Sequence, residues 1–246
     1  MKPKILYFDI ETSLMEIYSF YIGQKVSVQP SQIKTHSKII CIAYKWSDKN
    51  KVEILSWDKN QDDTKMLIKF NKIAKEADFL CGHNGKNFDV KELRAAMALR
   101  GVKDVWCETP VLDTLTDCRR AFRFKSNKLD AIAKSLGLGH KDPMGLQDWI
   151  DVNNKCPKAL KKMLKYCKKD VILLEKVHKR LNRYISPSNM SLMRGSVNHN
   201  INCCNCGSDT LVKYGTYTYG GAKLQKYLCK FCHKVNMPDR DKKVKK

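Results

Sequence analysis

An α/β domain with helices packed on the faces of a mixed β-sheet, followed by a much smaller C-terminal unit, is the architecture these 246 residues predict. Three observations predict it. Short apolar, β-rich runs open the chain, two of them close enough to pair through a tight turn. From residue 61 onward, helical and strand-like segments alternate. Beyond residue 184 the periodicity stops, and Ser, Asn, Pro and Gly lead into a cysteine-rich stretch. An antiparallel opening followed by β–α alternation yields a mixed sheet covered by helices.

Taken in order, KILYFDI (4–10) is the first strand, and KIICIAYKW (38–46) and KVEILSW (51–57) are two more joined by the turn-forming SDKN. Residues 61–77 carry helical spacing, FLCGHN (79–84) is a short strand, and 87–101 is a helix stopped by Gly101. PVLDTL reads as a strand and NKLDAIAKSLGLG as a short helix ending in glycines. A long helix over 157–181 starts at a proline, which suits the first helical turn. Its Leu160, Met163, Leu164, Cys167, Val171, Leu174, Val177 and Leu181 recur every three or four residues, as a core-facing stripe requires. The boundaries that follow are 1–184 for the main domain, 185–200 for a linker, 201–236 for a cysteine-bearing unit and 237–246 for a basic, disordered tail.

The chain carries 47 Lys and Arg against 25 Asp and Glu, a formal charge of +22 whose field attracts polyanions. Nucleic acid is the partner this implies. Residues 195–246 hold ten basic and three acidic side chains, so most of the surplus belongs to the main domain. No apolar run approaches the roughly 20 residues of a membrane span, which excludes membrane-spanning functions. The N-terminus MKPKILYFDIETS lacks the apolar segment of a secretory signal, so the eleven cysteines point to a reducing cytoplasm rather than a disulfide framework.

Three acidic elements stand out. Asp9 and Glu11, two apart at the end of a strand, project to the same face, where a divalent cation with a preference for oxygen ligands would offset their repulsion, although such a pair on its own is more often a solvated strand edge. In CGHNGKNFDVKEL a strand runs through a glycine turn into a helix whose first turn holds Asp89, where a structural role at the positive helix terminus is equally open. Tyr166 and Asp170, four apart on the long helix, share a face bordering the apolar stripe, where a buried aspartate is costly without a cation or hydrogen-bond partners and an exposed one, the commoner case for such a residue taken singly, needs neither.

Together and in this order, YFDIETS, HNGKNFD and YCKKDV resemble the three exonuclease motifs of the DEDD superfamily, and above all those of the proofreading domains of family B DNA polymerases. The resemblance spans about residues 4–181, and VLDTL with NKLDAIAKSLGLGHK is similar to the segment between those motifs. It implies a ribonuclease H-like fold with a mixed five-stranded sheet. It implies that Asp9, Glu11, Asp89 and Asp170 hold two Mg²⁺ or Mn²⁺ ions, and that Tyr166, where the other subfamily has histidine, orients the attacking water. Two cations about 3.5–4 Å apart would activate that water and stabilise the departing 3′-oxygen. Asn84 and Phe88 are expected to shape the substrate pocket, and Lys125 and Lys128 to contact phosphates. Asp113 is left outside the catalytic set as a structural acid.

The pairs Cys203/Cys206 and Cys229/Cys232, separated by glycines and β-formers, signal one tetrahedral, structural Zn²⁺. Cys204 and His233 are read as bystanders. Residues 201–234 resemble zinc ribbons of transposases and transcription proteins, and tyrosines interleaved with lysines there would give stacking surfaces and phosphate contacts. The expected activity is a 3′→5′ exonuclease releasing nucleoside monophosphates, with DNA favoured over RNA on the strength of the resemblance and a separate replication or repair protein as a companion. An exoribonuclease with the same acids, or a non-catalytic nucleic-acid binder using the ribbon, stays open from the residues alone.

Overall fold

In the computed structural model, residues 4–23, 27–107, 109–185, 202–203, 205–219 and 222–237 are described. Most of the expected linker, from 186 to 200, the tail from 238 onward, Ile201 and Cys204 lie outside the described residues.

The elements run β1 (Ile5–Thr12), β2 (Glu16–Ile17), β3 (Ile33–Thr35), β4 (Ile39–Trp46), β5 (Glu53–Ser56), α1 (Thr64–Lys75), β6 (Phe79–Gly82), α2 (Asp89–Leu99), β7 (Val111–Asp113), α3 (Thr114–Ala121), α4 (Leu129–Ser135), α5 (Leu146–Asn153) and α6 (Pro157–Leu181). β8 (Leu211–Tyr219), β9 (Ala222–Cys229) and β10 (Val235–Asn236) follow. Five strands form one mixed sheet in the order β5-β4-β1-β6-β7. β1 pairs antiparallel with β4 and parallel with β6, so the first strand is the centre on which both halves are built. This is the mixed, helix-flanked sheet of a ribonuclease H-like fold.

Alternation along β1 sorts the two cores. Leu6, Phe8 and Ile10 pack with Met66, Leu67 and Phe70 of α1 and Val90, Leu93 and Met97 of α2. Tyr7 faces the other way, into a cluster built with α4 and α6. On that same face lie Asp9 and Glu11, because side chains two apart along a strand share a side. The register of β1 with β4 skips from Glu11–Cys41 to Thr12–Ile39, so Ile40 is an extra residue and the pairing bulges beside Glu11.

The stripe on α6 is seated as its spacing predicts: Met163, Cys167, Val171, Leu174, Val177 and Leu181 are buried, and Leu160 and Leu164 pack against them partly exposed. Polar ties reinforce this face. Tyr7 Oη lies 2.9 Å from His178 Nδ1, and the buried Lys45 ammonium donates to Glu175 at 2.8 Å. Two expectations are corrected. PVLDTL is a strand only over Val111–Asp113, because the Asp113 carboxylate accepts from the Leu115 and Thr116 N–H groups and starts α3 at Thr114. α5, absent from the sequence reading, begins after Gly145, whose N–H donates to Asp148.

β10, β9 and β8 form a separate three-stranded antiparallel sheet in the cysteine-bearing unit. Among the described residues, no helix is long and apolar enough to cross a membrane.

Candidate functional site

β1 delivers two carboxylates to the α6 face, and the ligand atoms of Asp9, Glu11 and Cys167 lie within 4.8 Å of one another. The cysteine was unexpected. Its thiol sits 3.5 Å from the Asp9 carbonyl oxygen and 3.8 Å from Asp9 Oδ2, one turn before Asp170 on the same helix. Another β1 contact brings in α2: the buried Asp89 accepts a hydrogen bond from the Ile10 N–H at 3.2 Å through Oδ1. The third element is Asp170, 1% exposed, with Oδ1 buried and without a hydrogen-bond partner among the described residues.

These acids feel one another. Burial, then Asp89, Glu11 and Asp170, pushes the Asp9 carboxyl well above the usual carboxylate range. Glu11 is pushed up to about 8 by burial and by Asp170, and Asp89 to about 7, chiefly by burial. Asp170 is raised by burial against the opposing pull of Lys141. The close triad is therefore Asp9, Glu11 and Cys167, with Asp89 and Asp170 electrostatically coupled to it from α2 and α6.

Lys141 escaped the sequence reading. Its ammonium donates to Asp170 Oδ2 at 2.5 Å and to Tyr166 Oη at 3.4 Å, and lies 5.3 Å from the Tyr166 ring centroid. Burial alone would lower its pKa, but Asp170 and Asp9 hold it above the ordinary lysine range. The backbone explains its arrival: α4 closes at Gly137, in the left-handed region at φ +65°, and the Lys141 N–H then docks on Asp130 Oδ1 at 2.8 Å. The only trace in the sequence is a lysine shortly after two glycines. Tyr166 is half-buried, and burial followed by Asp170 pushes its phenol up to about 12, so it is neutral at ordinary pH.

The turn from β6 into α2 is set by backbone contact. A Cβ on Gly82 would lie 3.0 Å from the Gly85 Cα, and one on Gly85 would lie 3.1 Å from the Gly82 Cα. Asn84 sits between them at φ +69°, a conformation asparagine tolerates better than most residues. The Asp113 carboxylate also accepts from the Asn84 and Lys86 N–H groups, at 3.1 and 3.0 Å. With its two bonds to α3, this acid is consumed in holding backbone. Asn84 is half-buried, whereas Phe88, Lys125 and Lys128 are more open, with Phe88 41% exposed. His83, another residue the sequence reading passed over, ties their neighbourhood together, with Nδ1 2.9 Å from Thr114 Oγ1 and Nε2 2.9 Å from the Asn127 carbonyl oxygen.

In the C-terminal unit, the sulfurs of Cys203, Cys206, Cys229 and Cys232 all lie within 4.8 Å of one another. Cys203–Cys232 and Cys206–Cys229 are 3.5 and 3.6 Å apart. A tetrahedron of thiolates at about 2.3 Å from zinc has edges of about 3.8 Å, so the four could close on one ion. The Asn205 N–H and the Asn236 amide point at Cys203 Sγ, at 3.4 and 3.8 Å, as donors to a thiolate do. His233, in the left-handed region at φ +56°, is not part of this group.

A family model described as the RNase_H superfamily matches residues 31–182. Among solved structures, that of the family B DNA polymerase from the hyperthermophilic archaeon Pyrobaculum calidifontis is similar, with a TM-score of 0.56 and 18% identity. The alignment covers 74% of this chain and 25% of the polymerase, so the chain spans about a quarter of that protein. A search of curated proteins gave no match.

Proposed function

Since the chain belongs to the RNase_H superfamily, whose fold its sheet reproduces, we propose that it is a metal-dependent 3′→5′ exonuclease acting on DNA. The observation that carries the reading is the close approach of the Asp9 and Glu11 carboxylates, both of which feel the charges of Asp89 and Asp170, together with a buried Asp170 oxygen that has no partner among the described residues. Repelling, recessed carboxylates with a spare oxygen fit a pair of Mg²⁺ or Mn²⁺ ions, the hard cations that prefer oxygen. When bound, such ions supply charge neutralisation at the phosphate and a more acidic water.

The chain's own residues do the rest. Asp9 and Glu11 bind from β1, Asp89 from the first turn of α2 and Asp170 from α6, so three elements fix the geometry of the ligands. Tyr166, neutral at working pH, orients the attacking water by hydrogen bonding rather than by taking its proton. Lys141 holds Asp170 and Tyr166 in register and offers positive charge beside the scissile phosphate. Asn84 and the exposed Phe88 are proposed to shape the substrate pocket, and Lys125 and Lys128 to supply phosphate contacts. DNA rather than RNA is the proposed substrate, on the resemblance of the YFDIETS, HNGKNFD and YCKKDV motifs to those of proofreading domains, with a separate replication or repair protein as the proposed companion. The Cys₄ unit is proposed to hold one structural Zn²⁺ and to grip nucleic acid, with Tyr214 and Phe231 exposed on it.

The test is a gel assay with 3′- and 5′-labelled single strands of DNA and RNA. Wild type in Mg²⁺ should shorten the DNA from its 3′ end and stop in EDTA. Asp9→Ala and Asp170→Ala should each lose at least about a thousandfold in rate, and Tyr166→Phe about tenfold. Full activity of Asp9→Ala would remove the mechanism, and faster loss of RNA would reassign the substrate.

A further inference from the structure

After Thr12 the chain leaves the sheet in an arm that carries four large, exposed apolar side chains. Tyr18, Phe20, Tyr21 and Ile22 are 64, 94, 79 and 101% exposed. Single exposed apolar residues are commonplace, but four within five positions form a patch of the kind that marks a binding surface. This segment precedes the part of the chain that the family model matches.

The base of the arm is rigid. The Ser13 N–H donates to the Lys38 carbonyl at 2.8 Å and the Lys38 N–H to Ser13 Oγ at 2.9 Å. Leu14 exchanges two hydrogen bonds with the Asn153 side chain, and Trp149 Nε1 donates to the Thr12 carbonyl. Higher up, β2 pairs with β3, the Tyr18 N–H donates to the Gln32 carbonyl at 2.7 Å, and the Gln32 amide donates back to the Tyr18 carbonyl at 3.0 Å. The backbone is thus held as far as Tyr18, and Phe20 and Tyr21 just beyond it stay in solvent.

The geometry points to a stacking platform: Tyr18, Phe20 and Tyr21 receive unpaired nucleobases of the strand whose 3′ end occupies the carboxylate site. This rests on the nuclease reading. Three of the four side chains are aromatic, and base–aromatic stacking accepts any sequence. Lys34 beside the arm is paired with Glu16 at 3.0 Å, so the attraction comes from the chain's +22 charge as a whole, which favours a polyanion over a neutral protein surface. Phe20 is nine residues beyond Glu11, at most about 30 Å of extended chain. At about 3.4 Å per nucleotide, the platform meets bases no more than about nine positions from the 3′ end.

The experiment compares fluorescence-labelled oligo-dT of 4 and 16 nucleotides by anisotropy, using the full chain without added Mg²⁺ or chelator and phosphorothioate-linked strands that stay intact. Phe20→Ala/Tyr21→Ala should weaken binding of the 16-mer by about tenfold or more and leave the 4-mer as it was, and Phe20→Tyr should bind like wild type. In Phe20→Trp, the 16-mer should quench the new indole emission and the 4-mer should not. Unchanged 16-mer affinity together with unquenched emission would overturn the platform and leave the patch to a protein, and equal losses for both lengths would also overturn it. Wild-type degradation in Mg²⁺ is scored separately. A chain that stacks but does not degrade loses only the nuclease reading, and one that degrades with an indifferent arm loses only the platform.

Discussion

A single ammonium among four carboxylates decides what the metal-free protein is like. Lys141 neutralises Asp170 in a site otherwise crowded with acids, and it is itself mostly shielded from solvent. Lys141→Met should therefore destabilise the protein in EDTA by about 3 kcal/mol, as losing one partner of a largely buried pair does, and Mg²⁺ should restore most of that loss. Thermal melts with and without Mg²⁺ measure both effects, and a variant as stable as wild type in EDTA would contradict this role. The two-residue spacing put Asp9 and Glu11 on one face, because a strand's alternation is a local property, and only the joint presence of the three motifs made that face a candidate site. Lys141 and Cys167 could not be assigned to the site in the same way. The lysine depends on where a glycine-terminated loop returns, and the cysteine is indistinguishable in sequence from the other members of an apolar stripe.

At the level of elements, the β6–α2 turn and the α6 face carry separate expectations. Gly82 and Gly85 meet backbone to backbone, so Gly85→Ala would force the turn open and shift Asp89 at the start of α2. The expected result is a loss of about 2 kcal/mol in urea denaturation together with a drop in kcat that exceeds any change in KM. On α6, burial holds His178 down to about 4, against an ordinary value near 6.5. Its folded pKa is depressed, so the unfolded chain takes up the proton first. The stability this gives is complete above about pH 6.5 and is lost as pH falls toward about 4. His178→Gln should flatten that part of the stability–pH curve, and an unchanged slope would place the acid sensitivity elsewhere. The five strands of the main sheet were legible as short apolar runs between turn residues, and α1, α2 and α6 because each buries one regular face, whereas the short β2 and β3 gave no such run. α3 and α5 were not: α3 hides behind an aspartate that ends a strand and caps a helix in one residue, and α5 is eight residues long with a single buried side chain, Val152.

For the molecule as a whole, the main sheet and the Cys₄ unit are expected to depend on different ions. Metal analysis should find one zinc per chain, and Cys206→Ser should release it while leaving Mg²⁺-dependent cleavage measurable. Truncation at residue 195 removes +7 of the charge and should reduce both DNA affinity and the steepness of its salt dependence. Equal affinity across a salt series would give the ribbon another task. The overall architecture could be read in advance because charge, cysteine spacing and hydrophobic period each report on a whole segment. The exposed arm after Thr12 gave no such signal, since its aromatics resemble, in sequence, a strand seeking a core.

The acids that would cage the cations come from opposite ends of the main domain, Asp9 on its first strand and Asp170 on its last helix. A polypeptide still emerging from the ribosome, or one cut short before α6, carries Asp9, Glu11 and Asp89 but neither Tyr166 nor Asp170. The proposed chemistry would thereby be withheld until synthesis of the domain is almost finished, and incomplete copies would lack it.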